Sequence, residues 1–111
     1  MELSKPVAWA LLILAGLFEV AWALSLKYSA GFTRLTPAVL TTVAVIVSMV
    51  LLGLAARSLP IGTAYAVWTG IGTVGAVLFG ILLFGDSHNA LRLVCVALIL
   101  VGIIGLKLVG E

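Results

Sequence analysis

The spacing of the charges constrains this chain more than any other feature. They fall at Glu2, Lys5, Glu19, Lys27, Arg34, Arg57, Asp86, Arg92, Lys107 and Glu111, with long apolar runs between them. A helix crosses the hydrocarbon of a bilayer with about 20 mostly apolar residues. Residues 35–56 and 58–85 supply that length without a charge. Residues 90–109 supply it if Arg92 and Lys107 stretch their stems toward the headgroups. Residues 7–27 supply it with Glu19 inside. The pattern predicts an all-α membrane protein with four transmembrane helices, at approximately 7–27, 36–56, 61–84 and 90–109, forming a single domain over residues 1–111.

Composition removes the competing classes. Hydrophobic residues make up 64% and charged residues 9%, against about 25% charged in a soluble domain. A soluble domain this small could not hide so much apolar surface. That excludes an ordinary soluble enzyme, a disordered tail and a nucleic-acid binder, and no nucleic-acid partner is expected. Cys95 stands alone and cannot form an intrachain disulfide. The sequence has neither a cluster of metal ligands nor a catalytic set, so no enzymatic activity, metal or cofactor is expected. His88, a single histidine in a polar connector, is read as solvated.

Turn residues punctuate the spans. Pro6 suits the first turn of span one, and Thr36 and Pro37 predict a cap and first helical position for span two. Pro60 and Gly62 bracket the entry to span three, and residues 85–89 form a polar turn into span four. Such short connectors predict consecutive antiparallel helices in a compact four-helix bundle. The N-terminal run resembles a signal peptide, with Ala21, Trp22 and Ala23 as a cleavage site, but Glu19 interrupts its apolar core. The expectation is a retained span. Basic residues give no orientation under the positive-inside rule. Lys5, Arg57 and Lys107 fall on one side; Lys27, Arg34 and Arg92 fall on the other. Either other features fix one topology, or the chain inserts both ways and pairs with itself antiparallel.

Glu19 lies about 3 Å along the axis from the centre of span one at 1.5 Å per residue. A carboxylate at that depth costs about 2.5–3.5 kcal/mol on insertion scales and marks a functional site by default. It is either neutral with a proton or ionised with a cation beside it, the mutual exclusion that an exchanger requires. The structural alternative is a protonated glutamate bonded to a neighbouring helix. Ala15, Gly16, Trp22 and Ala23 share its helix face. Span two carries a stripe of Thr41, Ala44, Ser48 and Ala55, and span three one of Tyr65, Trp68, Thr69 and Gly72. Aromatic faces beside a carboxylate make a cation site, although the same stripes also suit packing. Trp9 is read as part of the interfacial aromatic belt. Gly70, Gly72, Gly75 and Gly80 suit close packing or a flexible point, and Ala97, Gly102 and Gly105 suit a helix–helix interface. One four-helix chain encloses a pathway poorly, so two copies sharing a cavity with two Glu19 residues are expected.

The residues that resemble a known family are Phe18-Glu19-Val20-Ala21-Trp22-Ala23, Leu26-Lys27-Tyr28-Ser29, Gly31-Phe32-Thr33-Arg34-Leu35, the run from Leu59 through Tyr65 and Trp68-Thr69-Gly70 to Gly72, and Gly102-Ile103-Ile104-Gly105-Leu106-Lys107. Together they resemble the small multidrug resistance family of bacterial inner-membrane exporters, over essentially the whole chain. Trp22 and Trp68-Thr69-Gly70 resemble its guanidinium exporter subtype. The resemblance implies an antiparallel, dual-topology homodimer in the bacterial inner membrane, exchanging guanidinium and small guanidinyl cations for protons by alternating access. It implies that Glu19 binds proton or substrate in turn, with Trp22, Ser48, Tyr65 and Trp68 lining the site. It further implies a kink at Gly70 and Gly72, and a dimer contact at Leu98, Ile99 and Gly102 with Cys95 as packing. Guanidinium offers a planar fork of N–H donors to a carboxylate and is weakly hydrated. Ser48 and the Trp22 N–H are expected to favour it over a quaternary ammonium ion. A broad quaternary ammonium exporter of the same family stands as the alternative. A dual-topology anion channel is disfavoured by the buried carboxylate.

Overall fold

Four helices account for nearly all of the chain in the computed structural model, which describes residues 4–109; Glu2 and Glu111 lie outside the described residues. They are α1 (Lys5–Tyr28), α2 (Leu35–Ala55), α3 (Ile61–Phe84) and α4 (Ala90–Val109). Each is long and apolar enough to cross a membrane. Pro6 stands in the first turn of α1, where its missing N–H costs no helical bond. The start of α2 differs from expectation. It begins at Leu35 after an extended Arg34, which makes Pro37 its third residue. The first N–H groups of a helix all lack an intrahelical acceptor, so proline fits anywhere in that turn and does not single out the first position.

The connectors are built locally. After α1 the chain takes three consecutive left-handed residues, Ala30, Gly31 and Phe32, at φ of 50°, 73° and 68°. Ser29 fastens this turn. Its buried hydroxyl donates to the Leu26 carbonyl at 2.6 Å and accepts from the Phe32 N–H at 3.1 Å. The backbone N–H groups of Thr33 and Arg34 both donate to its carbonyl. Gly85 ends α3 in the left-handed region, which glycine enters without a Cβ penalty. Asn89 opens α4 by accepting the Arg92 N–H on its side chain at 2.9 Å, a serviceable cap.

Helix α1 packs between α2 and α3, and α4 packs along α3. The Cα envelope measures 39 × 35 × 16 Å. This is a slab rather than the expected compact bundle. Lipid tails are as apolar as leucine, so no hydrophobic force closes the bundle and helices join where their surfaces fit. Glycine supplies the fit. A Cβ on Gly16 would sit 2.7 Å from Ile71, one on Gly75 would strike Val20, and one on Gly70 would sit 2.7 Å from Ile103 of α4. Among the described residues of α4, only Val96 is buried.

Trp9 corrects a third expectation. It is only 8% exposed and belongs to the core, with Leu12, Ala15 and Trp68. Its helical phase carries it inward, one turn from Leu12, although its depth alone suits an interfacial belt. The Lys107 ammonium lies 5.0 Å from its ring centroid. At the other end of α1, Lys27 lies 4.8 Å from the centroid of the Phe84 ring, which also meets Tyr28 at 4.9 Å. The C-terminus of α4 thus meets the N-terminus of α1, while α1 and α3 end together. Alternating helix directions require this arrangement.

Candidate functional site

Two polar clusters lie one helical turn apart between α1, α2 and α3. The first is closed. Ser48 of α2 is fully buried. Its hydroxyl donates to the Ala15 carbonyl of α1 at 2.7 Å and accepts from the Trp68 indole N–H of α3 at 2.8 Å. A hydroxyl has one proton to give and two lone pairs to receive with, so both neighbouring helices are tied through one oxygen. Trp68 is fixed in turn, and the exposed ring of Tyr65 lies against it at 5.6 Å.

The second cluster is open. Glu19 and Gly72 each stand four residues beyond Ala15 and Trp68, and therefore on the same faces one turn on. The half-buried Glu19 side chain lies directly on the Gly72 backbone. A Cβ at Gly72 would collide with the Oε1, Cδ and Cγ atoms of Glu19. Here glycine is required for close approach, whatever else it does. The buried side-chain atoms without a hydrogen-bond partner among the described residues are Glu19 Oε1, Trp22 Nε1 and Thr69 Oγ1. Trp22 lies one turn after Glu19, and Thr69 one turn before Gly72. An unmade hydrogen bond at a buried group costs about 1–3 kcal/mol. Helical spacing places all three within one turn of the contact between Glu19 and Gly72.

The donor inventory assigns roles within the cluster. Ionised glutamate only accepts, a threonine hydroxyl does both, and an indole N–H only donates. Two donors do not bond, which corrects the expectation that the Trp22 N–H itself binds a cation rich in N–H groups. Its natural partner is an oxygen, and the Glu19 carboxylate three residues earlier is the nearest in helical spacing. The Trp22 ring face remains suited to a cation. Ser48 has its proton committed to the Ala15 carbonyl and one lone pair to the Trp68 N–H.

The other sequence-derived candidates are dispersed. Gly70 and Gly72 lie within an unbroken α3. Leu98 is 65% exposed and Gly102 has open space beside it, whereas Ile99 turns inward to Gly70. Cys95 is exposed. Two apolar clefts of about 430 and 500 Å³ lie where α1, α3 and α4 meet, with Ile71 common to both. None of Glu19, Trp22 or Thr69 lines them, so volume alone points away from the polar chemistry. Thr69 appeared in the sequence as a polar neighbour of Trp68 and within the Trp68-Thr69-Gly70 run, without a role of its own. That its hydroxyl is unpaired is a matter of rotamer, which spacing does not report.

Comparison with known proteins decides the kinship. The family model for the Small Multidrug Resistance protein matches residues 7–99. This chain belongs to the small multidrug resistance family. A guanidinium exporter of Escherichia coli strain K12 is 62% identical to this small multidrug resistance protein over 102 residues, 92% of this chain and 97% of that one. Guanidinium exporters of Citrobacter freundii and Salmonella typhimurium are each 59% identical over the same 102 residues, with the same shares covered. With four helices suited to spanning, the chain is a multi-pass membrane protein of a transporter family.

Proposed function

We propose that this protein exports guanidinium and small guanidinyl cations across the bacterial inner membrane in exchange for protons. It works by alternating access as an antiparallel, dual-topology homodimer. The observation that carries this reading is Glu19: a carboxylate within a spanning helix, seated on Gly72, with a buried oxygen that has no hydrogen-bond partner among the described residues. The names of the relatives support guanidinium as the cargo.

The chemistry follows from the exclusivity of the carboxylate. In the low dielectric of the bilayer Glu19 is tolerated when protonated, or when ionised beside a cation. Guanidinium displaces the proton and offers two parallel N–H groups to the two carboxylate oxygens. Its weak hydration makes desolvation less costly than for an ammonium ion. The rings of Trp22, Trp68 and Tyr65 face the cation, and the Trp22 N–H, unpartnered among the described residues, is free to donate to the carboxylate when the cation binds. Return of a proton releases the cargo on the other side. An antiparallel pair makes the two sides equivalent, and the even split of Lys and Arg between them is compatible with insertion in either direction. In that pair the open Gly102 and exposed Leu98 of α4 form the dimer contact, and Gly70 and Gly72 let α3 bend.

Purified protein in liposomes tests the reading. Guanidinium and a tetraalkylammonium ion are compared with and without a proton gradient. Gradient-driven movement of guanidinium alone, lost in Glu19→Gln, is the expected result. Comparable movement of both ions would move the protein to the broad quaternary ammonium class, and current carried without proton coupling would make it a channel. Reporters fused to the C-terminus should be active on both sides of the membrane; activity on one side only would end dual topology.

A further inference from the structure

Thr69 is the one orphaned polar group for which the mechanism above has no use. In an apolar helix a threonine hydroxyl ordinarily returns its proton to the carbonyl four residues back. Thr41, Thr42 and Thr73 do so here, donating to Pro37, Ala38 and Thr69 at 2.7, 3.0 and 2.8 Å. Thr69 does not. Its Oγ1 is buried and without a partner. Thr69 also shares a stripe with Tyr65 and Gly72, at i, i+4 and i+7, so it stands on the side of α3 that receives the Glu19 carboxylate. Neighbours three apart on a helix face are about 5–6 Å apart at Cβ. The hydroxyl and the carboxylate seated on Gly72 therefore lie within one turn of each other along α3.

We infer that Thr69 is a substrate-contacting, specificity-determining residue: its hydroxyl oxygen accepts a hydrogen bond from an N–H of the guanidinium edge that Glu19 leaves free. The inference rests on the guanidinium reading of the site and deepens it. A carboxylate can take only one edge of the fork, so the remaining N–H groups need neutral acceptors when the site is desolvated. Trp22 cannot serve, because its indole only donates, and Ser48 is fully buried between the Ala15 carbonyl and the Trp68 indole. A cation without N–H groups gains nothing from Thr69.

The test uses the full-length protein in liposomes and compares wild type with Thr69→Val and Thr69→Ser. Valine keeps the shape and removes the hydroxyl; serine keeps the hydroxyl and removes a methyl group. Guanidinium and N-methylated guanidiniums with progressively fewer N–H groups serve as substrates. Thr69→Val should raise the KM for guanidinium roughly 10-fold with little change in kcat, as expected for one lost charge-assisted bond. The penalty should shrink as N–H groups are removed from the substrate, and Thr69→Ser should stay near wild type. An unchanged KM in Thr69→Val would overturn the inference. So would equal impairment of the serine and valine variants, which would assign Thr69 to packing. Absence of guanidinium transport in wild type would instead remove the underlying reading of the site.

Discussion

The Ser48 cluster and the Glu19 cluster use similar groups at neighbouring levels of the same helices, yet one is satisfied and the other is not. Around Ser48 each proton has an acceptor, and the oxygen joins α1, α2 and α3. Around Glu19 a carboxylate oxygen, an indole N–H and a hydroxyl are all buried and unmatched. A closed network rigidifies what it joins, whereas an unsatisfied one is tolerable only if something fills it. The contrast separates a fastening from an open polar cluster, within one turn of helix. A similar contrast divides the helices. α1 to α3 are locked by a polar relay and glycine contacts, while α4 is held mainly through Gly70 and the ends of its neighbours.

The contrast can be broken from either side. The largest effect is expected from Glu19→Gln. Removing one partner of a buried charged pair costs about 3–5 kcal/mol, so proton-coupled guanidinium exchange should fall more than about 100-fold. The thermal unfolding midpoint in detergent should hold or rise, because the buried Glu19 Oε1 has no hydrogen-bond partner among the described residues. A clear loss of stability would reassign Glu19 to the fastening. Next comes Gly72→Ala, whose methyl group has to displace the Glu19 side chain; at about 1–3 kcal/mol for overpacking, binding of guanidinium measured calorimetrically should weaken roughly 10-fold or more.

Ser48→Ala should behave in the opposite sense to Glu19→Gln. It strands the Trp68 N–H, at about 1–3 kcal/mol, and should lower the unfolding midpoint. Adding Trp68→Phe removes the stranded donor, so the double variant should recover part of that loss; strict additivity of the two changes would show that the relay does not couple. The smallest effect concerns α4. Gly70→Ala should cost about 1 kcal/mol of stability by pressing on Ile103. Gly102→Ala, facing open space, should leave unfolding unchanged within about 0.5 kcal/mol while altering cross-linking between copies. Equal effects of the two would contradict the placement of α4.

Much of this was legible before any coordinates. Glu19 was singled out by depth alone, and the connectors by their glycine, proline and asparagine. Trp9 was misplaced because its level in the membrane says nothing of the direction its ring faces. Thr36 and Pro37 were read as a cap and first position, although the first turn accepts proline at several places. Trp22 was given a donor's task toward a donor-rich cation, an error of hydrogen-bond chemistry and not of position. The partner of Ser48 was beyond reach, since the acceptor is a backbone carbonyl of α1.

What the sequence determined by itself is whatever depends on order along the chain: four spans, their ends, and one acidic residue at mid-depth. Hydropathy and helical period are local, so a single strand of text carries them. The tertiary structure alone decided which polar atoms are matched, that α4 lies against α3 instead of closing a bundle, and that Gly72 receives the glutamate. Those depend on how each helix is rotated about its axis against its neighbours. In a membrane that rotation is set by where glycine on one helix admits a side chain from another, and no single segment contains both halves of such a contact.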